Sequence, residues 1–324
     1  MWPVLRRVPV SLRWTALGVV VALVAALGAF WYVSDEQPNY TGLHLRLATG
    51  NTDGVYYPLG EGLRSVWHDQ LGVNAAVLTS AGSVQNVDLL RSGGADLAVS
   101  AADAADIAYD DGFHDLRTLG RLYDDYIQVV VRADEPITRF ADLRGHSVSM
   151  GATGSGVELI SERLLTAAGM TMNDVTNVPL GLNSAIDALE DHQIDAFVWS
   201  GGLPTPGLTE LASQGKIRVL DLSDLIPAVQ RTYPDIYGRG EIPDSVYGMT
   251  GAPPTTLVVH DLLLVTDRMP DDLARALLGA IFDGQAALIQ ASPTARSIDI
   301  QQAIYTTPIP LHDGAIAYYR SAKV

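Results

Sequence analysis

The strongest constraint on this chain is a strand–loop–helix unit that occurs three times between residues 43 and 109. Residues 43–48 alternate, with Leu43, Leu45 and Leu47 on one face and His44 and Arg46 on the other, the period of a half-buried strand. An apolar helical stripe of Leu59, Leu63, Val66 and Trp67 follows over 58–70. A second strand at 73–79 leads through Ser80-Ala81-Gly82 to a helix carrying Val84, Val87 and Leu90, with Ser83 placed as its cap. A short buried strand at 95–99 and a helix at 101–109 complete the third unit. Strands and helices alternating in this way predict an α/β fold with a parallel sheet covered by helices.

The first loop of the series reads as a ligand loop. It runs Thr49-Gly50-Asn51-Thr52-Asp53-Gly54-Val55-Tyr56-Tyr57, with two glycines for unusual backbone angles and small polar side chains between them. Pro58 suits a first helical turn, where its missing N–H costs nothing. Loops at the carboxyl ends of strands are where α/β proteins hold ligands, because the helix beyond presents unpaired N–H groups. Two tyrosines beside the glycines favour a binding loop over a plain connector.

Beyond the third unit, two extended runs at 116–122 and 126–132 precede Asp134-Glu135-Pro136, which reads as a crossing into a second unit. That unit holds a short helix at 140–143, a strand at 147–150 and the run Gly151-Ala152-Thr153-Gly154-Ser155-Gly156. A helix striped by Val157, Ile160, Leu164 and Ala168 follows. Residues 175–180, 184–190 and 194–199 repeat strand, helix and strand, ending at the loop Ser200-Gly201-Gly202-Leu203-Pro204. The pattern weakens until 254. The apolar extended run 257–265 then crosses back to the first unit, and helices at 271–289 and through Tyr319 close the chain. The resulting division is 43–132 plus 257–324 as one domain and 133–256 as the other.

The amino terminus carries an export signal. Arg6, Arg7 and Arg13 precede an uncharged run at 14–34, and Asp35 and Glu36 follow it. A run close to the ~20 residues that span a bilayer predicts a membrane helix or a long signal peptide, with residues 1–13 inside and everything after the linker 35–42 exported. An uncleaved anchor is the preferred form, because signal-peptide cores are usually shorter.

Several function classes are excluded. A net charge of -16 argues against nucleic acid, although a local ring of amides still suits a small anion. The chain has no cysteine, which removes disulfides, thiol catalysis, zinc ribbons and a lipid-bearing cysteine. The seven histidines are scattered with no helical pair, so no metal site is expected. No Gly-x-Ser-x-Gly elbow exists. The acid pairs Asp110-Asp111 and Asp124-Asp125 read as solvated turns. No catalytic residue and no cofactor are assigned.

The glycine run 151–156 lacks the Gly-Lys-Ser/Thr ending of a phosphate loop and the acidic partner of a dinucleotide site. Ser155 and Glu158 fit a capping box, while Thr153 and the amides of Gly154 and Gly156 suit a carboxylate. Ser83 and Asn86 read either as a cap with an exposed amide or as ligand groups. Ser100 and Asp103 stand at a third strand-to-helix junction, where Asp103 equally stabilises its own helix.

Several segments together carry a family resemblance. They are Ala48 to Pro58 ending Tyr-Tyr-Pro, Thr79 to Asn86 with Leu89-Leu90, Asp142-Leu143-Arg144-Gly145 and Gly151 to Glu158. Ile194-Asp195-Ala196-Phe197 with Gly201-Gly202, and Pro308 to His312, complete the set. In this order, over residues 43–322, they resemble the TAXI group of extracytoplasmic solute-binding proteins, which serve TRAP-type secondary transporters. The resemblance implies a two-domain, periplasmic-binding-protein-like type II fold with crossover strands as its hinge and a ligand cleft between domains. It implies a small carboxylate ligand, glutamate- or 2-oxoglutarate-like, and TRAP-type membrane subunits as partner. A ligand-sensing protein signalling to a partner membrane protein is the alternative.

By the same resemblance Asn51, Tyr56, Ser83 and Asn86 belong to one wall, and Thr52 in the first loop and Ser100 at the third junction are expected to bind ligand with them. Thr153, Gly154, Ser155 and Gly156 belong to the other, with Trp199 and Gly201 nearby. Asn51, Asp53 and Ser100 depart from the family pattern, and the first two are where ligand preference is expected to be decided.

Overall fold

The alternation at the start of the body becomes strand in the computed structural model, which describes residues 39–52, 54–248 and 252–323. The membrane helix expected at 14–34 and the residue Asp53 lie outside these. Among the described residues no helix is long and apolar enough to cross a membrane. Residues Tyr40–Val324 pack as one compact unit.

In chain order the elements are β1 (His44–Ala48), α1 (Tyr56–Leu71), β2 (Asn74–Leu78), α2 (Ser83–Arg91), β3 (Leu97–Ala101), α3 (Ala102–Asp110) and β4 (Leu116–Arg132). Then come β5 (Ser147–Ser149), α4 (Gly156–Ala167), β6 (Thr176–Asn177), α5 (Leu182–Glu190), β7 (Ala196–Gly201), α6 (Pro206–Ser213) and β8 (Ile217–Val219). The remainder is α7 (Ile226–Thr232), β9 (Tyr237–Glu241), α8 (Asp244–Tyr247), β10 (Thr255–Thr266), α9 (Asp271–Asp283), α10 (Gln285–Ala291) and α11 (Asp313–Ser321).

One sheet runs through the body in the order β2-β1-β3-β10-β4-β7-β5-β6, with β8 on β4 and β9 on β10. The two ends are parallel, as the strand–helix alternation predicts: β1 pairs with β2 and β3, and β5 with β6 and β7. The middle is not. β10 runs antiparallel to β3, β4 and β9, and β4 runs antiparallel to β7 and β8. The sheet is therefore mixed rather than parallel, because the apolar run near 257–265 returns into its centre.

Residues 116–132 form a single strand instead of two runs. Tyr123, Asp124 and Asp125 continue the ladder against Asp261, His260 and Val259 of β10, so no turn interrupts it. Both faces of this strand are covered, which lets an acid sit inside a sheet.

The apolar stripes do what their spacing requires. Leu59, Leu63, Val66 and Trp67 of α1 are buried against α9, α10 and the first strands, each worth roughly 1.5–3 kcal/mol. Trp67 is fully buried and donates its indole N–H to Leu277 O at 3.0 Å. Val157, Ile160 and Leu164 of α4 share one core with Val87 and Leu90 of α2. The helix expected over 271–289 divides at Gly284, where a Cβ would lie 2.5 Å from a Val66 methyl. The glycine lets α9 and α10 both press on α1.

Candidate functional site

The carboxyl ends of β1, β2, β3, β5 and β7 and the segment before α5 surround a cleft of about 900 Å³, counting its mouth. Asn51, Tyr56 and Ser83 line it from one side and Ser155, Gly156, Leu182, Trp199 and Gly201 from the other. Beneath them lie Tyr123 and Asp125 of β4.

The loops of the two sides meet across the mouth. Gln85 N–H donates to Gly154 O at 3.2 Å. A Cβ at Gly156 would stand 2.9 Å from Ser83 Oγ, and a Cβ at Gly181 would stand 3.0 Å from Asn51 Nδ2. Trp199 forms part of the wall: its Nε1–H donates to Thr205 Oγ1 at 3.1 Å, and its ring lies 3.6 Å from where a Gly54 Cβ would be. Gly201 makes room for that ring, since a Cβ there would meet Nε1 at 2.6 Å.

Tyr123, Asp125 and Asp261 form an acid and phenol cluster on the central strands. Asp261 stands opposite Tyr123 and Asp125 opposite Val259, so these groups share one face of the β4–β10 ladder. All three polar residues are buried. A chain of donors reaches the cluster: Ala101 N–H to Ser83 Oγ at 3.1 Å, Ser83 to Tyr56 Oη at 3.0 Å, and Tyr56 Oη–H to Asp261 Oδ1 at 2.5 Å. Ser200 Oγ–H donates to Asp125 Oδ2 at 3.2 Å. Tyr123 Oη, Asp125 Oδ1 and Asp261 Oδ2 are buried and take no hydrogen bond from residues outside this cluster.

Two buried carboxyls this close do not both ionise near neutral pH. Burial pushes Asp125 up to about 7, against hydrogen bonds from Asp261 and Ser200 that hold it down. Burial and then the charge of Asp125 push Asp261 well above the carboxylate range. Burial and the neighbouring acids likewise keep Tyr56 and Tyr123 protonated, so they remain donors.

Among the described residues that line the cleft none is basic; its ionisable acids are Asp103 and Asp125. Asp103 lies in the first turn of α3 and also faces the cleft. It accepts from Tyr237 Oη–H at 2.6 Å, and Tyr237 Oη in turn accepts from Arg163 Nη1 at 2.8 Å. Burial raises Asp103 and the Arg163 charge opposes the rise.

Of the twelve residues expected at the site, the structure brings seven to the cleft: Asn51, Tyr56, Ser83, Ser155, Gly156, Trp199 and Gly201. Five stand outside its lining. Thr52 is exposed beside Asn51, and Thr153 is exposed on the 151–156 loop. Gly154 spends its N–H on Glu158 Oε2 at 2.7 Å and its carbonyl on Gln85. Ser100 is buried and donates to Ser83 O and Ala101 O. Asn86 is fully buried, where its amide donates to Val99 O at 2.7 Å and to Thr49 O and its oxygen accepts from Ser80 Oγ at 2.6 Å. It ties three strand ends together.

Two local expectations change. Ser83 is the first residue of α2 rather than its cap; Gly82 holds that position and no side chain caps the helix. Its hydroxyl is used across the fold, on Ala101 and Tyr56. Ser155 does cap α4, accepting from Glu158 N–H at 3.1 Å, but Glu158 answers to Gly154 N–H instead of closing a box on Ser155.

Sequence reasoning missed Tyr123, Asp125, Asp261 and Ser200. Asp124-Asp125 is not a solvated turn. Asp124 faces Arg121 and His260, at 2.5 and 2.8 Å, while Asp125 turns inward. The available signal was an apolar extended pattern on both sides of the two acids, which a turn would have broken.

The sequence model of the NMT1-like family matches residues 47–322. Among solved structures, a protein from Bordetella bronchiseptica RB50 is 21% identical at TM-score 0.50, covering 86% of this chain and 80% of that one. A Xanthomonas citri protein solved bound to ATP is 14% identical at TM-score 0.50, covering 86% and 95%. The periplasmic aliphatic sulphonate binding protein SsuA from Escherichia coli is 18% identical at TM-score 0.48, covering 87% and 84%. At such identities the first two establish likeness of fold.

Proposed function

This chain belongs to the NMT1-like family, and from that premise we propose that it is an extracytoplasmic solute-binding protein that captures one small carboxylate between two lobes. The lobes are 43–132 with 257–324 and 133–256, and β4 and β10 serve both. Binding and release make up the whole activity, so function is a difference in affinity between open and closed forms. The partner is the membrane part of a TRAP-type secondary transporter, which takes the solute from the closed form. The uncharged run at 14–34 is the proposed tether to the outer face of the membrane.

The observation that carries this reading is the mouth. Loops from both sides close over the cleft and bond to each other through Gln85 N–H and Gly154 O. The amino ends of α2 and α4 meet there, and their amides favour an anionic oxygen. Asn51, Tyr56, Ser83, Ser155 and Gly156 are the groups proposed to touch ligand, and Trp199 and Gly201 shape its apolar side. Thr52, Asn86, Ser100 and Gly154 act by holding those loops.

Mass spectrometry of small molecules released from the purified protein, followed by a thermal-shift screen of carboxylates, tests the reading. A bound ligand at 100-fold its Kd stabilises by about 2.7 kcal/mol, which is several degrees. A protein that releases no small molecule and melts at one temperature with every carboxylate is not this receptor.

A further inference from the structure

The wall that lobe 133–256 gives the cleft is apolar where a ligand with two acidic ends would need a charge. Leu180, Leu182, Ala185, Phe197 and Trp199 line it there. Leu182 and Ala185 stand three apart on the buried face of α5, and with Phe197 they belong to one core cluster. Leu180 and Trp199 pack on that cluster yet stay half-buried, so the apolar surface they keep is part of the cleft wall. Trp199 is held in place by its bond to Thr205.

The polar end is small by comparison. At the start of α4, Gly154 N–H is spent on Glu158, Ser155 N–H on Ala152 O at 3.0 Å, and Glu158 N–H on Ser155 Oγ. Gly156 and Val157 follow the cap and line the cleft, and a helix supplies no acceptor for its first amides. Two such amides suit one carboxylate.

We propose that the solute is an apolar monocarboxylate, with its carboxylate at the amino end of α4 and a hydrocarbon body against Leu180, Leu182 and Trp199. This solute class presupposes the carboxylate reading above. It departs from the glutamate- and 2-oxoglutarate-like ligands that the family resemblance implies.

Charge decides against a second carboxylate. Among the described lining residues none is basic, and the side chains able to carry charge near neutral pH are Asp103 and Asp125, both acids. The cations nearby are engaged, Arg163 with Tyr237 and Arg121 with Asp124. The amino end of α5 reaches the cleft through Gly181 and Leu182 but brings no polar side chain, since Asn183 and Ser184 are exposed outside the lining. A second carboxylate would lose its water against leucine and phenylalanine with no opposite charge to balance it, which is costly. A methylene placed there instead leaves water for an apolar surface and tightens binding about fourfold.

Titration calorimetry on the full chain, with straight-chain acids of four to seven carbons and their α,ω-diacids, tests this. Kd should fall about fourfold for each added methylene until the wall is covered. Hexanoate should bind at least tenfold tighter than adipate, 2-oxoglutarate or L-glutamate. Leu180→Arg brings a cation to a half-buried position of the wall, so adipate should gain at least tenfold and hexanoate lose at least threefold. An unchanged preference in a folded Leu180→Arg overturns the wall, and if that variant does not fold, the chain-length series on the unaltered protein decides. A series with no dependence on length, or a diacid that binds as tightly as its monoacid, overturns the apolar solute while leaving the carboxylate receptor standing. Hexanol binding as tightly as hexanoate removes the carboxylate and both readings with it, as does binding of none of the probes.

Discussion

Gly156→Ala tests the closure of the cleft with a single methyl group. Gly156 is the first residue of α4, behind its cap Ser155, and its backbone is one that alanine adopts. The added Cβ would stand 2.9 Å from Ser83 Oγ and 3.1 Å from Ser83 Cβ. Ordinary contact begins near 3.4 Å, so the gap is short by 0.5 Å at the oxygen. Ser83 does not give way easily. It is 3% exposed, and its hydroxyl is held by Ala101 N–H at 3.1 Å and Tyr56 Oη at 3.0 Å. The amino end of α4 must retreat instead, which strains the 3.2 Å bond from Gln85 N–H to Gly154 O. Overpacking costs about 1–3 kcal/mol and a lost hydrogen bond about 1 kcal/mol. A closing penalty of about 2 kcal/mol weakens Kd roughly 30-fold. With the lobes apart, the methyl meets no Ser83, and alanine is the better helix former by up to about 1 kcal/mol. The free protein should therefore melt at the same temperature or slightly higher, while calorimetry with its best ligand gives the 30-fold loss. The closure argument is refuted if affinity stays within twofold. A fall in melting temperature equal with and without ligand would also refute it, because the clash would then belong to the unliganded form.

Two further perturbations address the buried polar groups. Asp125 is raised from 3.8 to about 7 in the fold, so the native state binds its proton more tightly than the unfolded chain between those values. The stabilisation this gives is fully present below pH 3.8 and is lost as pH rises through about 7. Relative to Asp125→Asn, the unaltered protein should lose stability from pH 4.5 to 7.5 in urea unfolding; a flat difference would deny the perturbed carboxyl. Asn86→Ala leaves the carbonyls of Thr49 and Val99 and the hydroxyl of Ser80 without their buried partner. It should cost about 2–4 kcal/mol. Calorimetric unfolding that moves by less than a degree would return Asn86 to the ligand.

The parts of this protein that were legible in the sequence share a property: their signal lies within one turn or one strand. The stripe Leu59, Leu63, Val66 and Trp67 is buried because a period of 3.6 puts those side chains on one face. The loops at 49–55 and 151–156 were recognisable from glycines, and Gly151, at φ +96°, requires one. Where the same local reasoning was stretched it misplaced things. Ser83 has the chemistry of a cap, yet its hydroxyl found Tyr56, 27 residues away. Asn86 has the look of an exposed amide at a helix start, but the helix turns it inward onto β1 and β3.

Sequence by itself determined the strand–helix order, the buried stripes and the loops that carry small polar groups, because hydrophobic period and turn chemistry are local. Only the tertiary structure decided that the run at 257–265 enters the centre of the sheet and makes it mixed. It also decided that Asp125 and Asp261, 136 positions apart by number, meet beside Tyr123. The reason is physical: whether a carboxyl is solvated or buried depends on what covers it, and the covering residues come from distant segments. For the same reason no local pattern could show that Gly156 faces Ser83.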